Sequence, residues 1–418
     1  MKILLMSIGT RGDIEPFLAI GEILSKKEHK LTYAIPEQYS HLIPNKDKYH
    51  SFTPEFLALI EGEGGRAVMG GSVGFIKKIK SILRLYKKGM AVNKIMIIQQ
   101  YDIVKNEEPD LIIYNGKCNY PLLWHLSTGK KIVLISPIPY FIHYIEGNGH
   151  TGFDGNYGSF INRLTYKIAN FGLVKTIYDA QKILGTKDIL FSKKQIKEKL
   201  LSEKLIYTLS PSLLIRPMTW SSNVQVLGYH ERNKKLDWQP DENLIEFIGK
   251  HQKILFLTFG SMINPDPEKT AQKFLSVLSE LKIPTIINTA AGGIIQLKEF
   301  EEHNLFYFIK QIPYDWILEK CYGIIHHGGS GTTHSGLKNG CVTMIIPHVF
   351  DQYGWNNLIF KAGLGPKGIS VNKISEKKLK PQIIDLFENE SYKIKAVEIS
   401  KKMKEENFEN ELYESIMR

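Results

Sequence analysis

Short apolar runs of strand-like composition alternate with longer stretches of helical periodicity along almost the whole chain. In the first half these runs are KILLMSI, LTYAIP, DLIIYN, KIVLISP and LIYTLS. The second half repeats the pattern with KILFLTFGSM, PTIINTA, LFYFIK, YGIIHH and VTMIIP. Apolar strands separated by helices indicate a parallel sheet that is covered by helices on both faces. The repetition predicts two consecutive doubly wound α/β domains.

The same pattern predicts the domain boundaries. At 418 residues the chain has the length of two domains. The polar, unperiodic stretch HERNKKLDWQPDEN predicts a linker at residues 230–250, between an N-terminal domain at 1–229 and a C-terminal domain at 251–395. Residues 396–418 predict a C-terminal helix, and the hypothesis is that it returns to the N-terminal domain.

Composition bounds the class of protein. A hydrophobic fraction of 43% and a charged fraction of 23% are typical of globular proteins. The three cysteines have no metal-ligand spacing, which predicts buried thiols in a reducing, cytoplasmic location. The apolar runs are all shorter than about 18 residues, so no transmembrane helix is expected. Without zinc-finger spacing, an RNP motif or a basic arm, no nucleic-acid partner is expected.

The net charge of +11 is concentrated in part in residues 77–94, which carry seven basic residues and no acidic one. Apolar residues recur there at helical spacing, which predicts a basic amphipathic helix. Two interpretations follow: a surface helix packed on its own domain, which is favoured, or a peripheral contact with an anionic membrane. The sequence leaves the oligomeric state open.

The loop that follows the first strand, Gly9 to Asp13, is the first candidate site. Ligands of open parallel sheets bind at the carboxyl ends of the strands, and Gly9 and Gly12 permit close backbone approach. Pro16 fits the first turn of the next helix, which places Asp13 just before that helix. Asp13 is then either the N-cap of the helix or a catalytic base, and the residues alone favour the cap.

The segment IIHHGGSGTT, which begins at Ile324, contains a strand end, a glycine-rich turn and a helix start expected near Thr332 and Thr333. Unpaired N–H groups, the helix dipole and a histidine donor favour a diphosphate at such a place. A P-loop requires a lysine after the last glycine, and the dinucleotide fingerprint requires a glycine where His334 stands, so both are excluded. Adjacent histidines without partner spacing are also poor zinc ligands.

Two further strand ends carry candidate polar groups. Gly260 and Ser261 follow the first strand of the second domain and either hold a phosphate or form a simple turn. Asp351 and Gln352 follow a strand-end proline, where a carboxylate and an amide either hold vicinal sugar hydroxyls or begin a polar helix. The residues leave the first choice open and favour the helix start for the second.

Together these motifs resemble the GT-B glycosyltransferases of family 1, and more narrowly the branch of sterol glucosyltransferases and vancomycin-type antibiotic glycosyltransferases. The opening GTRGDIEPFLAI is similar to the first loop of that branch, and residues 311–366 are similar to its C-terminal block. The resemblance extends from the first strand to near the end of the chain and is thin from about residue 40 to 200. It implies a GT-B fold, with two Rossmann-like domains facing each other across a cleft.

The resemblance also implies a role for each motif. Asp13 stands three residues before Pro16, where many family members have histidine and this branch has aspartate, so it is the expected base. Gln311 and Ile312 are expected to face the nucleobase, and His326 or, in the better alignment, His327 the diphosphate. The full set of expected donor-binding residues is Gly12, Gly260, Ser261, Gln311, Ile312, His326, His327, Gly329, Ser330, Gly331, Thr332, Asp351 and Gln352.

The implied chemistry is an inverting transfer that forms a β-glycoside. The donor is expected to be UDP-glucose, with other UDP-sugars or TDP-sugars as alternatives, because Gly-Ser-Gly replaces the plant-type Trp-Asn of the histidine loop. Asp13 takes the proton of the acceptor hydroxyl as the oxygen attacks the anomeric carbon. The helix N-terminus and the histidine stabilise the leaving diphosphate, so no cofactor and no metal are expected, in agreement with a chain that has no Asp-x-Asp pair.

The acceptor is expected to bind residues 136–160, a glycine- and aromatic-rich segment that follows a strand. An apolar small molecule such as a sterol, a flavonoid or other polyphenol, a terpenoid or a glycolipid fits this composition, although a packed surface loop is equally supported. The expected lining residues are Tyr140, Phe141, His143, Tyr144 and Phe153.

Three alternatives are retained. A GT-B enzyme of the epimerase type converts a sugar nucleotide without an acceptor. A binding protein on the same scaffold keeps the phosphate loop but loses the base, and the presence of Asp13 argues against it. A nicotinamide-dependent oxidoreductase is disfavoured by the incomplete fingerprint.

Overall fold

The structure is a computed structural model. It describes residues 1–44, 47–55, 75–151, 156–185, 190–232, 238–262, 264, 266–349 and 351–418. In the helix that begins at residue 75, the side chains of residues 75–88 and 90 lie outside the described part.

The strands form two parallel sheets. The strands of the first are β1 (Lys2–Met6), β2 (Lys30–Pro36), β3 (Lys48–Phe52), β4 (Leu111–Asn115), β5 (Lys131–Ser136), β6 (Leu205–Tyr207) and β7 (Val224–Val226), in the order β3-β2-β1-β4-β5-β6-β7. The strands of the second are β8 (Leu255–Thr258), β9 (Thr285–Asn288), β10 (Phe306–Ile309), β11 (Gly323–His326) and β12 (Val342–Ile345), in the order β10-β9-β8-β11-β12. The chain order reverses at β1/β4 and at β8/β11, and these reversals are where such sheets bind ligands.

Helices connect the strands and cover the sheets. Those of the N-terminal half are α1 (Arg11–Ser25), α2 (Phe75–Glu107), α3 (Tyr120–Thr128), α4 (Ser159–Leu184) and α5 (Lys193–Ser202). Those that follow are α6 (Glu242–Lys250), α7 (Pro267–Glu280), α8 (Tyr314–Leu318), α9 (Ser330–Lys338), α10 (Asp351–Ala362), α11 (Glu376–Glu388), α12 (Glu390–Glu405) and α13 (Glu409–Met417). In the described part of the chain, no helix combines the length and the apolarity that a membrane span requires.

The predicted apolar runs all form strands, and the doubly wound α/β fold class is confirmed. β4, β8 and β12 are buried along their whole length, because helices cover both faces of each sheet. The sequence reasoning missed β3 and β7. β3 is a half-exposed edge strand of composition KYHSF, and β7 has only three residues, so neither carries a strong apolar signal.

The start of α1 differs from the prediction. The helix begins at Arg11, so Pro16 lies inside it rather than in its first turn. Thr10 is the N-cap, and Asp13 is the third helical residue, whose carboxylate accepts a hydrogen bond from the backbone N–H of Thr10 at 2.8 Å. Asp13 therefore caps the helix as the third helical residue of a capping box with Thr10.

The C-terminal segment consists of two helices rather than the single helix predicted at residues 396–418. The helix is interrupted between α12 and α13. There the Glu406 carboxylate accepts hydrogen bonds from the hydroxyls of Ser210 and Ser212 at 2.6 and 2.7 Å. Beyond this break, Leu412 and Ile416 of α13 are buried in the core beside β1 and α1. The chain thus ends on the N-terminal sheet after leaving the second one.

Helix α6 lies inside the stretch predicted as a linker. Its buried residues Leu244 and Phe247 belong to the same apolar cluster as Phe256 of β8. The Asp241 carboxylate caps this helix by accepting from the N–H of Leu244 at 2.8 Å. Residues 242–250 are thus packed as part of the C-terminal domain.

Candidate active site

A carboxylate and an ammonium group meet at the carboxyl ends of β1 and β4. Lys117 Nζ lies 2.7 Å from both Oδ1 and Oδ2 of Asp13. Oδ2 also accepts from the N–H of Thr10, whereas Oδ1 contacts Lys117 alone among the described residues. The side chain of Asp13 is 16% exposed and that of Lys117 is 44% exposed, so the pair opens to solvent on one side. Oδ1 retains lone-pair capacity for a further donor.

Strand pairing explains why Lys117 reaches Asp13. β1 and β4 are neighbours in register, so the loops that follow them lie side by side. The Asn115 side chain ties these loops together by donating at 2.8 Å both to Ser7 Oγ and to the carbonyl of Ile8. Ser7 Oγ in turn donates to the backbone carbonyl of Asp13 at 2.8 Å. The backbone of Asp13 is therefore held in place by Ser7, which follows β1, and by Asn115 at the end of β4.

Gly9 allows this close approach. Its φ of +136° is one that L residues rarely adopt, and a Cβ at this position would lie 2.1 Å from Asp13 Oδ2 and 2.7 Å from Lys117 Nζ. The backbone therefore passes directly against the ion pair.

The histidine turn follows β11 in the second sheet. His326 is fully buried, and its Nδ1 accepts from the N–H of Gly328 at 3.1 Å. Burial lowers the pKa of His326 to about 3, so the ring is neutral and its proton is on Nε2. That Nε2 has no partner among the described residues. A buried, unpaired N–H donor is left at the strand end.

His327 lies between two glycine-containing loops. A Cβ on Gly260, which follows β8 with a φ of +56°, would be 3.1 Å from His327 Cε1, and a Cβ on Gly329 would be 2.5 Å from Nε2. Burial, and then the neighbouring His326 and His348, hold the pKa of His327 well below its usual range. Its Nδ1 and the hydroxyl of Ser330 are buried without a partner in the described part of the chain.

Helix α9 starts two residues earlier than expected, at Ser330, with Gly329 as the N-cap. The free backbone N–H groups of its first turn are those of Ser330, Gly331 and Thr332. Ser330 itself carries one of the unpaired groups, and His327 lies against the preceding Gly329. The turn therefore gathers neutral donors and a positive helix end, an arrangement that favours an anion.

Asp351 and Gln352 begin α10. Burial, and then the negative charge of Asp13, raise the pKa of Asp351 to about 6, and the charge of Lys117 opposes this shift. The two carboxylates from opposite domains therefore lie close enough for their charges to interact. The Gln352 side-chain oxygen accepts from the N–H groups of His348 and Val349 at 2.7 and 3.1 Å, which fixes the loop before α10.

The other donor-site candidates lie on four separate elements or loops. Gly12 is exposed in the first turn of α1, Ser261 is exposed after Gly260, and Gln311 is exposed after β10. Ile312 is 7% exposed and belongs to the apolar core, so its side chain is committed to packing. Trp316 follows it in α8, with the ammonium of Lys320 4.4 Å from the ring centre.

The structure places the predicted acceptor-binding residues in different surroundings. Phe141 packs on Gly116, where a Cβ would lie 2.3 Å from its Cζ, and so lies next to Lys117. Tyr140 is buried and has a positive φ of 57°. His143 faces away, since its Nε2 lies 3.2 Å from the carbonyl of Leu201 at the end of α5.

Tyr144 also packs within the N-terminal domain, at 5.6 Å from the Tyr166 ring. Phe153 lies outside the described residues. The structure thus brings Phe141 to the Asp13 site, whereas it directs His143 and Tyr144 into the packing around α4 and α5.

Contacts between the domains align the two halves of the site. Thr151, within the acceptor segment, lies against α10, where a Cβ on Gly354 would be 2.5 Å from its Oγ1. Lys361 Nζ of α10 donates at 2.6 Å to the carbonyl of Gly147 and to Asn148 Oδ1. The helix that begins with Asp351 is therefore packed against the loop that carries Phe141.

His334 makes a second contact between the domains. In the sequence this residue was considered only because it replaces the third glycine of the dinucleotide fingerprint. Its Nε2 accepts from the N–H of Ser210 at 3.1 Å, and its Nδ1 donates to the carbonyl of Ser330 at 2.8 Å. Its ring stacks on Tyr229 with centroids 4.2 Å apart. Burial lowers its pKa to about 4, as the neutral tautomer requires.

Lys117 was also missed. Its only signal in the sequence is a lysine two residues after the predicted strand DLIIYN, and finding it requires the strand order β1-β4.

Comparison with known proteins identifies glycosyltransferase domains and enzymes that the chain is similar to. Residues 3–115 match the model of the glycosyltransferase family 28 N-terminal domain, and residues 303–417 match that of the erythromycin biosynthesis protein CIII-like C-terminal domain. The chain is 26% identical over 97% of its length to the sterol 3-beta-glucosyltransferase UGT80A2 of Arabidopsis thaliana. It spans 64% of that protein and 32% and 33% of two other sterol 3-beta-glucosyltransferases.

Solved structures share the whole fold. The glycotransferase of kitacinnamycin superposes with a TM-score of 0.70 at 14% identity, over 100% of this chain and 98% of its own. The glycosyltransferase VinC in complex with dTDP superposes with a TM-score of 0.63 at 14% identity, over 100% and 99%. The GT-B fold and the resemblance to sterol and antibiotic-type glycosyltransferases are therefore confirmed.

Proposed function

We propose that the protein is an inverting glycosyltransferase that moves a sugar, in the first instance glucose from UDP-glucose, to a hydroxyl of an apolar small molecule. The observation that carries this proposal is the Asp13–Lys117 pair at the carboxyl ends of β1 and β4, whose carboxylate charge also reaches Asp351 of the other domain. In this proposal Asp13 is the base and Asp351 binds the sugar, and the histidine turn of the second domain takes the diphosphate. The names of the sterol glucosyltransferase relatives support an apolar acceptor.

The donor diphosphate binds the histidine turn. An unpaired buried donor costs about 1–3 kcal/mol, and phosphate oxygens would relieve this cost at His326, His327 and Ser330. Since both histidines are neutral, they donate hydrogen bonds without competing for the proton that moves in the reaction. Charge that develops on the leaving diphosphate is stabilised by the N-terminus of α9, and no metal is needed at this step.

The acceptor hydroxyl is deprotonated at Asp13 Oδ1 as its oxygen attacks the anomeric carbon. Lys117 orients the carboxylate, and the N–H of Thr10 fixes the other oxygen. A proton on Oδ1 weakens the attraction to Lys117, so transfer must be concerted with bond formation. Phe141, on Gly116, contributes an apolar wall beside the base.

Acceptor-dependent nucleotide release tests the proposal. Wild type and Asp13→Asn are incubated with UDP-glucose or TDP-glucose, with and without a panel of sterol, flavonoid, terpenoid and glycolipid acceptors. The proposal expects release that needs an acceptor and falls about a hundredfold or more in the variant. Release that ignores the acceptor would favour a sugar-nucleotide-processing enzyme instead. An asparagine variant as active as wild type would remove Asp13 as the base.

A further inference from the structure

Helix α4 exposes an apolar stripe on its outer face. Phe160 is 82% exposed, Phe171 63%, Ile168 55% and Leu164 43%. At 3.6 residues per turn, these positions and Ile161, which is 48% exposed, fall within a sector of about 100°. Soluble proteins rarely leave contiguous large apolar side chains in water, and such patches mark interaction surfaces. We refer to these five residues as the α4 stripe.

The charge around the α4 stripe is positive. Arg163 and Lys167 are exposed between its members, and the first acidic residue of the helix is Asp179. Helix α2 packs against α4, and its Lys94 is exposed. Ile95 and Ile98 of α2 are also exposed, at 41% and 39%. An apolar stripe within a basic surface matches an anionic lipid interface.

Charge also argues against a second copy of this chain as the occupant. Two α4 stripes brought face to face would bring together two basic surfaces of a protein whose net charge is already +11. Like charges at an interface rim oppose association, whereas anionic headgroups neutralise them.

The inner face of α4 holds the loop beside the candidate active site. Thr165 Oγ1 accepts from the N–H of His150 at 2.9 Å, and Asn170 Nδ2 donates to the carbonyl of Ile142 at 3.1 Å. Ile142 adjoins Phe141, which packs beside Lys117. One helix therefore connects the apolar outer surface to the wall of the Asp13 site.

We propose that the α4 stripe docks the N-terminal domain on an anionic lipid bilayer, with the phenylalanines inserted among the acyl chains and the basic residues at the headgroups. Docking goes beyond the transferase activity and does not depend on it. Its consequence, that an apolar acceptor passes from the bilayer to the loop around Phe141, rests on the proposed function.

Vesicle flotation tests the docking. The full-length protein is floated with vesicles of phosphatidylcholine alone and of phosphatidylcholine mixed with phosphatidylglycerol. The variants are Phe160→Ser/Phe171→Ser and, as a matched control, Ile245→Ser/Ile394→Ser, which changes residues of α6 and α12 that are 48% and 68% exposed. All four side chains are exposed, so unchanged thermal midpoints are expected for both variants.

Wild type and the control are expected to bind the anionic vesicles more tightly than the neutral ones, with binding weakened by salt. Partitioning of the phenylalanine variant should fall roughly tenfold or more, because each inserted ring contributes apolar burial. Wild type that fails to float with anionic vesicles would overturn the proposal. Equal partitioning of the phenylalanine variant would do the same. A wild-type dimer that the variant abolishes, without vesicle binding, would assign the stripe to self-association instead.

Activity separates this inference from the proposed function. With a water-soluble acceptor, Phe171→Ser should release nucleotide at the wild-type rate, whereas with acceptor embedded in anionic vesicles its rate should fall. If wild type floats but transfers no sugar to either form of acceptor, the docking stands and the proposed function fails.

Discussion

Alanine at position 9 should damage the candidate site more than any change of similar size nearby. Gly9 has a φ of +136°, where an L residue costs roughly 1–3 kcal/mol. The new Cβ would lie 2.1 Å from Asp13 Oδ2, so the carboxylate must leave the N–H of Thr10, which costs about 1 kcal/mol more. The expected loss is roughly 2–4 kcal/mol of unfolding free energy.

Gly12→Ala is the matched comparison three residues along. Gly12 lies in the first turn of α1, and an added Cβ would meet only Thr10 Oγ1, at 3.8 Å. Alanine is favoured over glycine in a helix by roughly 0.5–1 kcal/mol, so this variant should be slightly more stable than wild type.

Thermal unfolding followed by circular dichroism measures both changes. Gly9→Ala should lower the midpoint by roughly 5–10 °C, and Gly12→Ala should leave it unchanged or raise it. A midpoint for Gly9→Ala within about a degree of wild type, or equal losses in the two variants, would show that Gly9 is not held in place by its positive φ and its approach to Asp13.

Three further outcomes follow from the site. Lys117→Gln should lower kcat about tenfold or more with little effect on the melting midpoint, because the ion pair is partly exposed but orients Asp13; an unchanged kcat would contradict that role. Because the pKa of Asp351 is raised to about 6, the KM for the donor should fall as pH rises through 6, and Asp351→Asn should remove this dependence. His334 is neutral when folded, with a pKa of about 4 against 6.5 when unfolded, so its stabilisation is present above pH 6.5 and is lost, by up to about 3 kcal/mol, as pH falls towards 4. Urea titrations at a series of pH values should show that the unfolding free energy of His334→Gln falls less with decreasing pH than that of wild type. An equal fall in the two proteins would count against the neutral, buried state of His334.

The strands were predictable because each is an apolar run bounded by polar residues, and the repeat of that pattern gave the two domains. β7 escaped prediction because its three residues, Val224–Val226, carry no periodic signal. The break between α12 and α13 escaped it because it depends on Glu406 reaching Ser210 and Ser212 in the other domain. Such a tertiary contact leaves no local mark in the sequence.

The candidate site was predictable where backbone geometry defines it. The glycine turn at His326 and His327 and the loop at Asp13 are local motifs whose residues stand next to one another. Lys117 was missed because its closeness to Asp13 follows from the order of strands in the sheet. His143 and Tyr144 were assigned to the acceptor from their aromatic character alone, and the direction of their side chains depends on packing against α4 and α5.

Asp13 is proposed to take part in the chemistry of transfer rather than to hold the donor. The most direct test measures, on one preparation of Asp13→Asn, the kcat for sugar transfer and the Kd for UDP by calorimetry. We expect kcat to fall about a hundredfold or more while Kd stays within about twofold of wild type, because the proposed diphosphate site is the histidine turn of the other domain. Loss of UDP binding together with transfer, or transfer at the wild-type rate, would contradict it.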